Sequence, residues 1–318
     1  MNLIEVVSKF RTEADCLDYL ESVRWPHGLC CLNCGVMDRI SKFTTNETTR
    51  ERYSKKLRRT VEVKVPSRRL YQCLECGHQF SATTGTVFHD SHLPLVKWFM
   101  AVGLIIEAKK GISAKQVARH LGMESSYKTV WFLCHRIRKA MKDGGLLTGT
   151  VEVDETYLTP KKPRKGKPYV KKQSRDVVLG MVERGGKLRM VPIKDAKLSI
   201  IEPVLDKHIS PEATIHTDEH PTYFIIGQRK FPGRHRAINH SRTYAIGDLH
   251  TNTIENAFSL LKRGIYGTFH KVSIKHLERY CEEFSYRFNR RDSQKQLFAA
   301  TIKGLVNETA LPFKTLTA

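Results

Sequence analysis

The spacing of apolar residues changes along the chain, and each change indicates a different kind of element. Short apolar runs with the period of a strand dominate 150–217, whereas helical spacing dominates afterwards. The pattern predicts, in chain order, strands at 150–158, 176–184 and 187–194, a helix at 197–208, strands at 213–217 and near 234–239, and helices at 251–264 and 273–290. Sheet strands mixed with helices predict an α/β domain over 146–292, followed by a C-terminal helical tail, 293–318.

The region from 81 to 145 has helical spacing throughout. LPLVKWFMAVGLIIEA predicts an apolar helix, and GISAKQVARHLGM followed by SSYKTVWFLCHRIRKAM predicts a helix-turn-helix with its turn at Gly122. On the second helix the cations lie mostly away from the apolar face, which predicts phosphate contacts by Lys128, Arg136 and Arg138. The alternative is a helical packing unit that does not touch DNA.

Residues 1–80 contain two Cys-x2-Cys pairs, each followed by glycine, at Gly35 and Gly77. Glycine lets such a turn tighten until backbone amides point at thiolate sulfurs, as in a zinc knuckle. The predicted ligands of a structural zinc ion are Cys31, Cys34, Cys73 and Cys76. Buried free thiols are the alternative, and Cys30 competes with Cys31 for one position.

The 38 residues between the two cysteine pairs exceed the usual spacing of a zinc ribbon, which is about 12–20 residues. The excess is a charged segment, TTRERYSKKLRRTVEVKVPSRRL. It predicts a basic hairpin that projects from the ribbon.

The net charge of the chain is the strongest indication of its partner. Lys and Arg number 54 against 32 Asp and Glu, a net charge of +22, which favours a polyanionic partner and salt-sensitive binding. The segment TPKKPRKGKPYVKKQSR carries eight basic residues and no acid, and predicts a DNA-binding loop. Its candidate contacts are Lys161, Lys162, Arg164, Lys165, Lys167, Lys171 and Lys172.

Three acids stand where a divalent metal site needs them. Asp154 and Asp218 each end a strand-like run, in VEVDETYL and IHTDEH, and Glu255 lies in the helical phrase NTIENAFSLLKRG. Carboxylate oxygens are preferred by hard cations, and a metal pair can stabilise both the attacking and the leaving oxygen at phosphorus. Solvated helix and strand caps are the alternative.

Together with YQCLECGHQFSATTGTVFHDSHLPLVKWFMA and RFNRR, these phrases resemble insertion-sequence transposases of the DDE class that carry an N-terminal zinc ribbon. The resemblance implies an RNase H-like catalytic domain, which the predicted strand order also favours. It implies that Asp154, Asp218 and Glu255 are catalytic and bind two Mg²⁺ ions. Lys262, on the face of Glu255, is expected to contact a phosphate. Asn252 and Asn256 remain alternatives or partners for the third acid.

The implied reaction is DNA cleavage at the transposon end repeats, followed by strand transfer into target DNA. Two other functions remain open. A zinc-ribbon DNA-binding regulator would account for the charge but leave the three acids without a role. A nuclease with the same fold would cut without joining.

The sequence has no run of 18 apolar residues, and acids interrupt its N-terminal apolar stretch, which argues against a secretory signal. We therefore expect a cytoplasmic, nucleoid-associated protein with reduced thiols. The resemblance implies that it assembles as a homo-oligomer on DNA ends.

Overall fold

The computed structural model describes residues 1–54, 58–158, 177–238 and 250–317. The chain divides into two compact units, one formed by Met1–Val6 and Met100–Thr301, the other by Val7–Phe99 and Ile302–Ala318. No helix within the described ranges is both long and apolar enough to cross a membrane.

The N-terminal elements are two helices and five short strands: α1 (Leu3–Lys9), α2 (Glu13–Arg24), β1 (Ile40–Thr44), β2 (Thr48–Ser54), β3 (Arg59–Val65), β4 (Arg69–Cys73) and β5 (Gln79–Phe80). Thr12 caps α2 in a capping box with Asp15, which fixes where that helix begins. Strands β1, β4 and β5 form one antiparallel sheet. Strands β2 and β3 pair with each other as a separate hairpin, so the predicted basic hairpin is present.

The middle of the chain is helical, with α3 (Leu95–Glu107), α4 (Ala114–His120), a 3₁₀ turn (Glu124–Ser126) and α5 (Tyr127–Lys139). Gly122 between α4 and α5 has φ +61°, a conformation that glycine adopts without steric cost. The predicted helix, turn and longer helix are therefore all present.

The larger unit contains a five-stranded sheet: β6 (Thr150–Tyr157), β7 (Val177–Glu183), β8 (Leu188–Ile193), β9 (Thr214–Asp218) and β10 (His235–Ile238). The strand order is β10-β9-β6-β7-β8. Strands β6, β7 and β8 are antiparallel neighbours, whereas β9 and β10 run parallel to β6. Strand β6 thus lies at the centre, with the next strand along the chain on one side and β9 on the other.

The remaining helices follow the predicted order, with α7 and a π-helical turn in addition and two helices in the tail: α6 (Leu198–His208), α7 (Pro221–Lys230), α8 (Asn252–Gly264), a π-helical turn (Ile265–Phe269), α9 (Ile274–Phe288), α10 (Gln294–Asn307) and α11 (Phe313–Thr317). Helices α6 and α7 pack on one face of the sheet, where Val151 and Val153 are buried. Helices α8 and α9 cover the other face. The sheet therefore buries side chains on both faces.

Candidate functional site

The four predicted zinc ligands converge at the tips of two turns. Their Sγ atoms all lie within 4.8 Å of one another, and Cys31 Sγ and Cys76 Sγ are 3.6 Å apart. Gly35 and Gly77 have φ of +78° and +72°, the tight turns that the sequence predicted. Four thiolates at this spacing fit a tetrahedral zinc ion. The quartet consists of Cys31, Cys34, Cys73 and Cys76.

Backbone amides around Cys31 favour its ionised form. The N–H of Asn33 donates to Cys31 Sγ at 3.4 Å. Burial raises the pKa of this thiol, but the amides of Cys34 and Asn33 outweigh it and hold the pKa at about 6. Cys30 lies outside the quartet, so Cys31 is the member of this pair that the geometry selects.

The first two acids lie on neighbouring parallel strands. Val151 of β6 pairs with Ile215 of β9, and Glu152 pairs with His216. The same register, carried further along both strands, places Asp154 beside Asp218. Both side chains are half-buried; Asp218 is the last residue of β9, whereas Asp154 lies within β6, three residues before its end.

Asp154 lies in a strongly negative environment. Burial, followed by the charges of Glu155, Asp218 and Glu255, raises the pKa of Asp154 to about 7. One backbone N–H, that of Glu155, donates to Asp154 Oδ1 at 2.7 Å and acts in the opposite direction. Because burial and nearby negative charges make the ionised form of Asp154 costly, a bound cation would stabilise that form, so this arrangement suits a metal.

Among the described residues, the cysteine quartet is the one group of three or more ligands packed within 4.8 Å. The three acids are therefore more widely spaced than the cysteines, and they interact through charge.

Glu155 points away from Asp154, as alternation along a strand requires. Tyr223 of α7 donates its hydroxyl to Glu155 Oε2. Burial raises the pKa of Glu155, and the charge of Asp218 adds to the effect. Glu155 is thus held on the α7 face of the sheet, beside the predicted site.

Glu255 is carried by the first turn of α8, and its side chain is exposed. The Thr251 hydroxyl donates to Glu255 Oε1 at 3.4 Å. Helix α8 approaches the sheet at Gly180, the residue that pairs with Asp154 across β6 and β7. A Cβ atom at Gly180 would lie 2.6 Å from both Ile254 and Phe258. Glycine at this position therefore permits the close packing that brings α8 over the sheet.

Lys262 lies in the last turn of α8 and is half-buried, whereas Asn252 and Asn256 are exposed in the first turns. All three remain on the helix that carries Glu255, as the sequence predicted.

Glu152 shares the face of Asp154 but lies two residues before it on β6. It is fully buried, and its carboxylate accepts hydrogen bonds from the backbone N–H groups of Thr253 and Ile254 at 2.9 and 3.1 Å. In the sequence, the one sign of a special role for Glu152 is a charged residue inside an apolar run. Its hydrogen-bond partners lie 101 and 102 residues away, so the sequence does not identify them.

The phosphate contacts expected from α5 need correction. Lys128 is exposed, but Arg136 and Arg138 are 6% and 2% exposed. The Arg138 guanidinium donates to the carboxylate of Glu283 on α9, which is itself fully buried. The second half of α5 packs against α9, so both arginines are buried in the protein and not exposed on a DNA-facing surface. The seven candidate contacts of the basic loop, between 161 and 172, lie outside the described residues.

Comparison with known protein families agrees with this architecture. Residues 146–289 match the ISXO2-like transposase domain, and residues 11–79 match the transposase zinc-ribbon domain. The chain thus carries both domains of an insertion-sequence transposase with an N-terminal zinc ribbon, as the motifs indicated.

A protein from Halobacterium salinarum (strain ATCC 700922 / JCM 11081 / NRC-1), described as an uncharacterized protein in transposable element ISH50, is similar over most of its length. The two are 26% identical over 300 residues, which cover 88% of this chain and 92% of the relative. The similarity therefore spans both domains.

Proposed function

We propose that this chain catalyses metal-dependent DNA cleavage and strand transfer at the ends of an insertion sequence. The observation that carries the proposal is the proximity of three carboxylates, since the charges of Asp218 and Glu255 reach Asp154 and, after burial and the charge of Glu155, raise its pKa. Two of these acids come from adjacent parallel strands and the third from a helix packed over them. Clustered acids with perturbed pKa values are typical of functional sites.

The strand arrangement supports an RNase H-like catalytic domain. Three antiparallel strands are followed by a helix and by a fourth strand, β9, that pairs with the first. This connection brings the carboxyl end of β9 beside Asp154 in β6, and the carboxyl ends of parallel strands are where such sheets place ligand-binding side chains.

The donor set suits Mg²⁺, which prefers carboxylate oxygens. Asp154, Asp218 and Glu255 would hold the ions, and two bound ions would stabilise charge on the attacking and leaving oxygens. The zinc ion of the ribbon is bound by thiolates and has a structural role.

The proposed reaction has two in-line displacements at phosphorus. In the first, a water oxygen loses a proton and bonds to phosphorus, the P–O3′ bond breaks at the transposon end, and O3′ takes up a proton. In the second, that 3′-hydroxyl loses its proton and attacks a target phosphodiester, whose own P–O3′ bond breaks and whose released O3′ takes up a proton. Lys262 positions a phosphate by charge, and no covalent protein intermediate forms.

DNA binding is assigned to the cationic surfaces. The β2–β3 hairpin exposes several cations, the α4–α5 segment exposes Lys128, and the basic loop adds seven more candidates. The exposed hairpin cations include Arg50, Arg52, Arg59 and Lys64. We assign the hairpin and ribbon to the end repeats, with two or more copies of the chain assembled on paired ends. Binding of this kind would associate the protein with the nucleoid.

The test is a cleavage and joining assay on terminal-repeat DNA with Mg²⁺, beside a mobility-shift assay. Asp154→Asn and Asp218→Asn should abolish both steps and leave DNA binding near normal, because each removes a ligand while reducing negative charge near phosphate. The exposed acid Glu219 provides a matched control as Glu219→Gln, which should retain activity. Full cleavage by either aspartate variant would refute the assignment, and cutting without joined products would identify a nuclease instead.

A further inference from the structure

We propose that Glu152 is a positioning residue that holds the first turn of α8, and through it Glu255, against the strand that carries Asp154. The inference rests on the proposed function of the three acids. Its evidence is independent of theirs, because it lies in the hydrogen bonds between β6 and α8.

Both carboxylate oxygens of Glu152 are occupied by protein donors. Oε2 accepts the backbone N–H groups of Thr253 and Ile254, at 2.9 and 3.1 Å. Oε1 accepts the Thr253 hydroxyl at 3.0 Å and Arg184 Nε at 3.2 Å. A fully buried carboxylate with four donors has little capacity left for a metal. Glu152 is therefore assigned to the protein scaffold and not to the metal ligands.

The hydrogen bonds from α8 to Glu152 take the place of the usual N-cap of that helix. Thr251 stands at the N-cap of α8, but its side chain makes no capping hydrogen bond to the helix. Its hydroxyl donates to Glu255 instead. The amides of Thr253 and Ile254, which an N-cap side chain normally satisfies, bond to Glu152 from a distant strand. A negative charge there also complements the positive end of the helix dipole.

Arg184 strengthens the attachment. It follows β7, donates to Glu152 and also donates to the backbone carbonyl of His250 at 3.2 Å. His250 Nδ1 itself lies 3.2 Å from Glu152 Oε1. The chain entering α8 and the first turn of α8 are thus both tied to the centre of the sheet.

The path from Glu152 to the acids is short. Glu152 and Asp154 point to the same face of β6, about 7 Å apart along the strand. Ile254, whose amide Glu152 binds, is the neighbour of Glu255 in sequence. A change in the length or charge of residue 152 would therefore move Glu255 relative to Asp154 without altering either acid.

Amide hydrogen exchange on the full-length protein tests the attachment directly. In Glu152→Gln the amides of Thr253 and Ile254 should exchange at least tenfold faster, while amides in the middle of α9 keep their protection. The matched control is Glu183→Gln, a residue at the end of β7 that bonds Thr148 and not α8. In the Glu183→Gln variant, the amides of Thr253 and Ile254 in α8 should exchange at the wild-type rate.

The second measurement is Mg²⁺ titration of terminal-repeat cleavage. Loss of a residue that orients a metal ligand typically costs 10–100-fold in affinity or activity. Glu152→Gln should therefore need more Mg²⁺ and turn over more slowly, with unchanged DNA binding. Glu152→Asp, which keeps the charge but is one methylene shorter, should fall between wild type and Glu152→Gln. A purely structural role would not shift the Mg²⁺ requirement.

Thr253→Val covers the case in which Glu152→Gln does not fold. It removes only the hydroxyl that donates to Glu152 Oε1 and keeps both backbone amides. A smaller change in the same direction is expected in both measurements. Unchanged exchange and an unchanged Mg²⁺ requirement in the folded variants would overturn the inference. An active Asp154→Asn would instead overturn the proposed function and leave the exchange result standing.

Discussion

At the scale of single residues, the proposed third metal ligand, Glu255, has two alternatives on α8, Asn252 and Asn256. Glu255→Gln keeps the side-chain shape but loses its charge, so cleavage should fall by orders of magnitude. Asn252→Ala and Asn256→Ala should cost far less. The measurement is one Mg²⁺ titration of cleavage with all three variants. An inactive Asn252→Ala beside an active Glu255→Gln would show that the triad is wrong.

Lys262→Ala is tested in the same series, because Lys262 supplies a positive charge but does not bind a metal. Removing this lysine should weaken the contact with phosphate and leave the Mg²⁺ requirement unchanged. Because the remaining cations compensate better when screening is weak, the defect should shrink at low salt.

The sequence draws attention to residues whose signal is local and misses contacts whose partners are distant. Asp154 and Asp218 stand out because each follows a run of apolar, strand-like residues, and their catalytic role stays a prediction. The role of Glu152 depends on amides 101 and 102 residues away, which no local pattern reports. Arg138 was expected on a polar helix face, yet its partner Glu283 lies 145 residues further on. The burial of that pair, and not the periodicity of α5, decides where the arginine points.

At the scale of elements, the packing of α8 on the sheet depends on the absence of a side chain at Gly180. Gly180→Ala would place a methyl group 2.6 Å from the buried side chains of Ile254 and Phe258. Relief requires α8 to shift, so we expect a loss of about 1–3 kcal/mol in unfolding free energy. Cleavage should fall more steeply, because Glu255 moves with the helix.

Denaturant unfolding and Mg²⁺-dependent cleavage check this prediction. Gly144→Ala is the matched control, since a Cβ atom there meets nothing within 4 Å. That variant should stay within about 0.5 kcal/mol of wild type. Equal stability and activity in Gly180→Ala would show that the helix accommodates the methyl group without moving.

Element boundaries were predicted closely where apolar periodicity is strong. The sheet strands and α6, α8 and α9 begin and end within a few residues of the expected positions. Helix α7 was missed, because PTYFIIGQRK is short, contains Gly227 and follows a strand directly. Its start is fixed by Pro221 in the first turn and by the His220 side chain, which accepts the Thr222 amide. Such capping signals are visible in sequence but compete with turns.

At the scale of the whole molecule, we expect the fold of the ribbon to depend on a bound zinc ion. Its aromatic core is small, with Trp25, Tyr71 and Phe80 in mutual contact at centroid distances of 5.5–6.0 Å. Cys73→Ser should therefore release zinc and unfold the ribbon, because so small a core cannot replace the metal. The unit formed by 100–301 has its own sheet and two-sided core and should remain folded.

Metal analysis and limited proteolysis of the purified protein measure both effects. Cys30→Ser, one residue before a ligand, is the matched control and should keep its zinc. Native protein without zinc, or a Cys73→Ser variant that retains it, would contradict the assignment.

The separate pairing of β2 with β3 has a consequence for how such proteins diverge. These strands bond to each other, whereas the cysteine turns belong to the β1-β4-β5 sheet and its ends. Lengthening a loop costs little extra entropy, about 0.6 kcal/mol for each doubling. The sequence and the length of the β2–β3 hairpin can therefore change without disturbing zinc binding by the four cysteines. If the hairpin reads the end repeats as proposed, a lineage could recognise new end sequences by changing this one arm while the proposed catalytic domain is inherited unchanged.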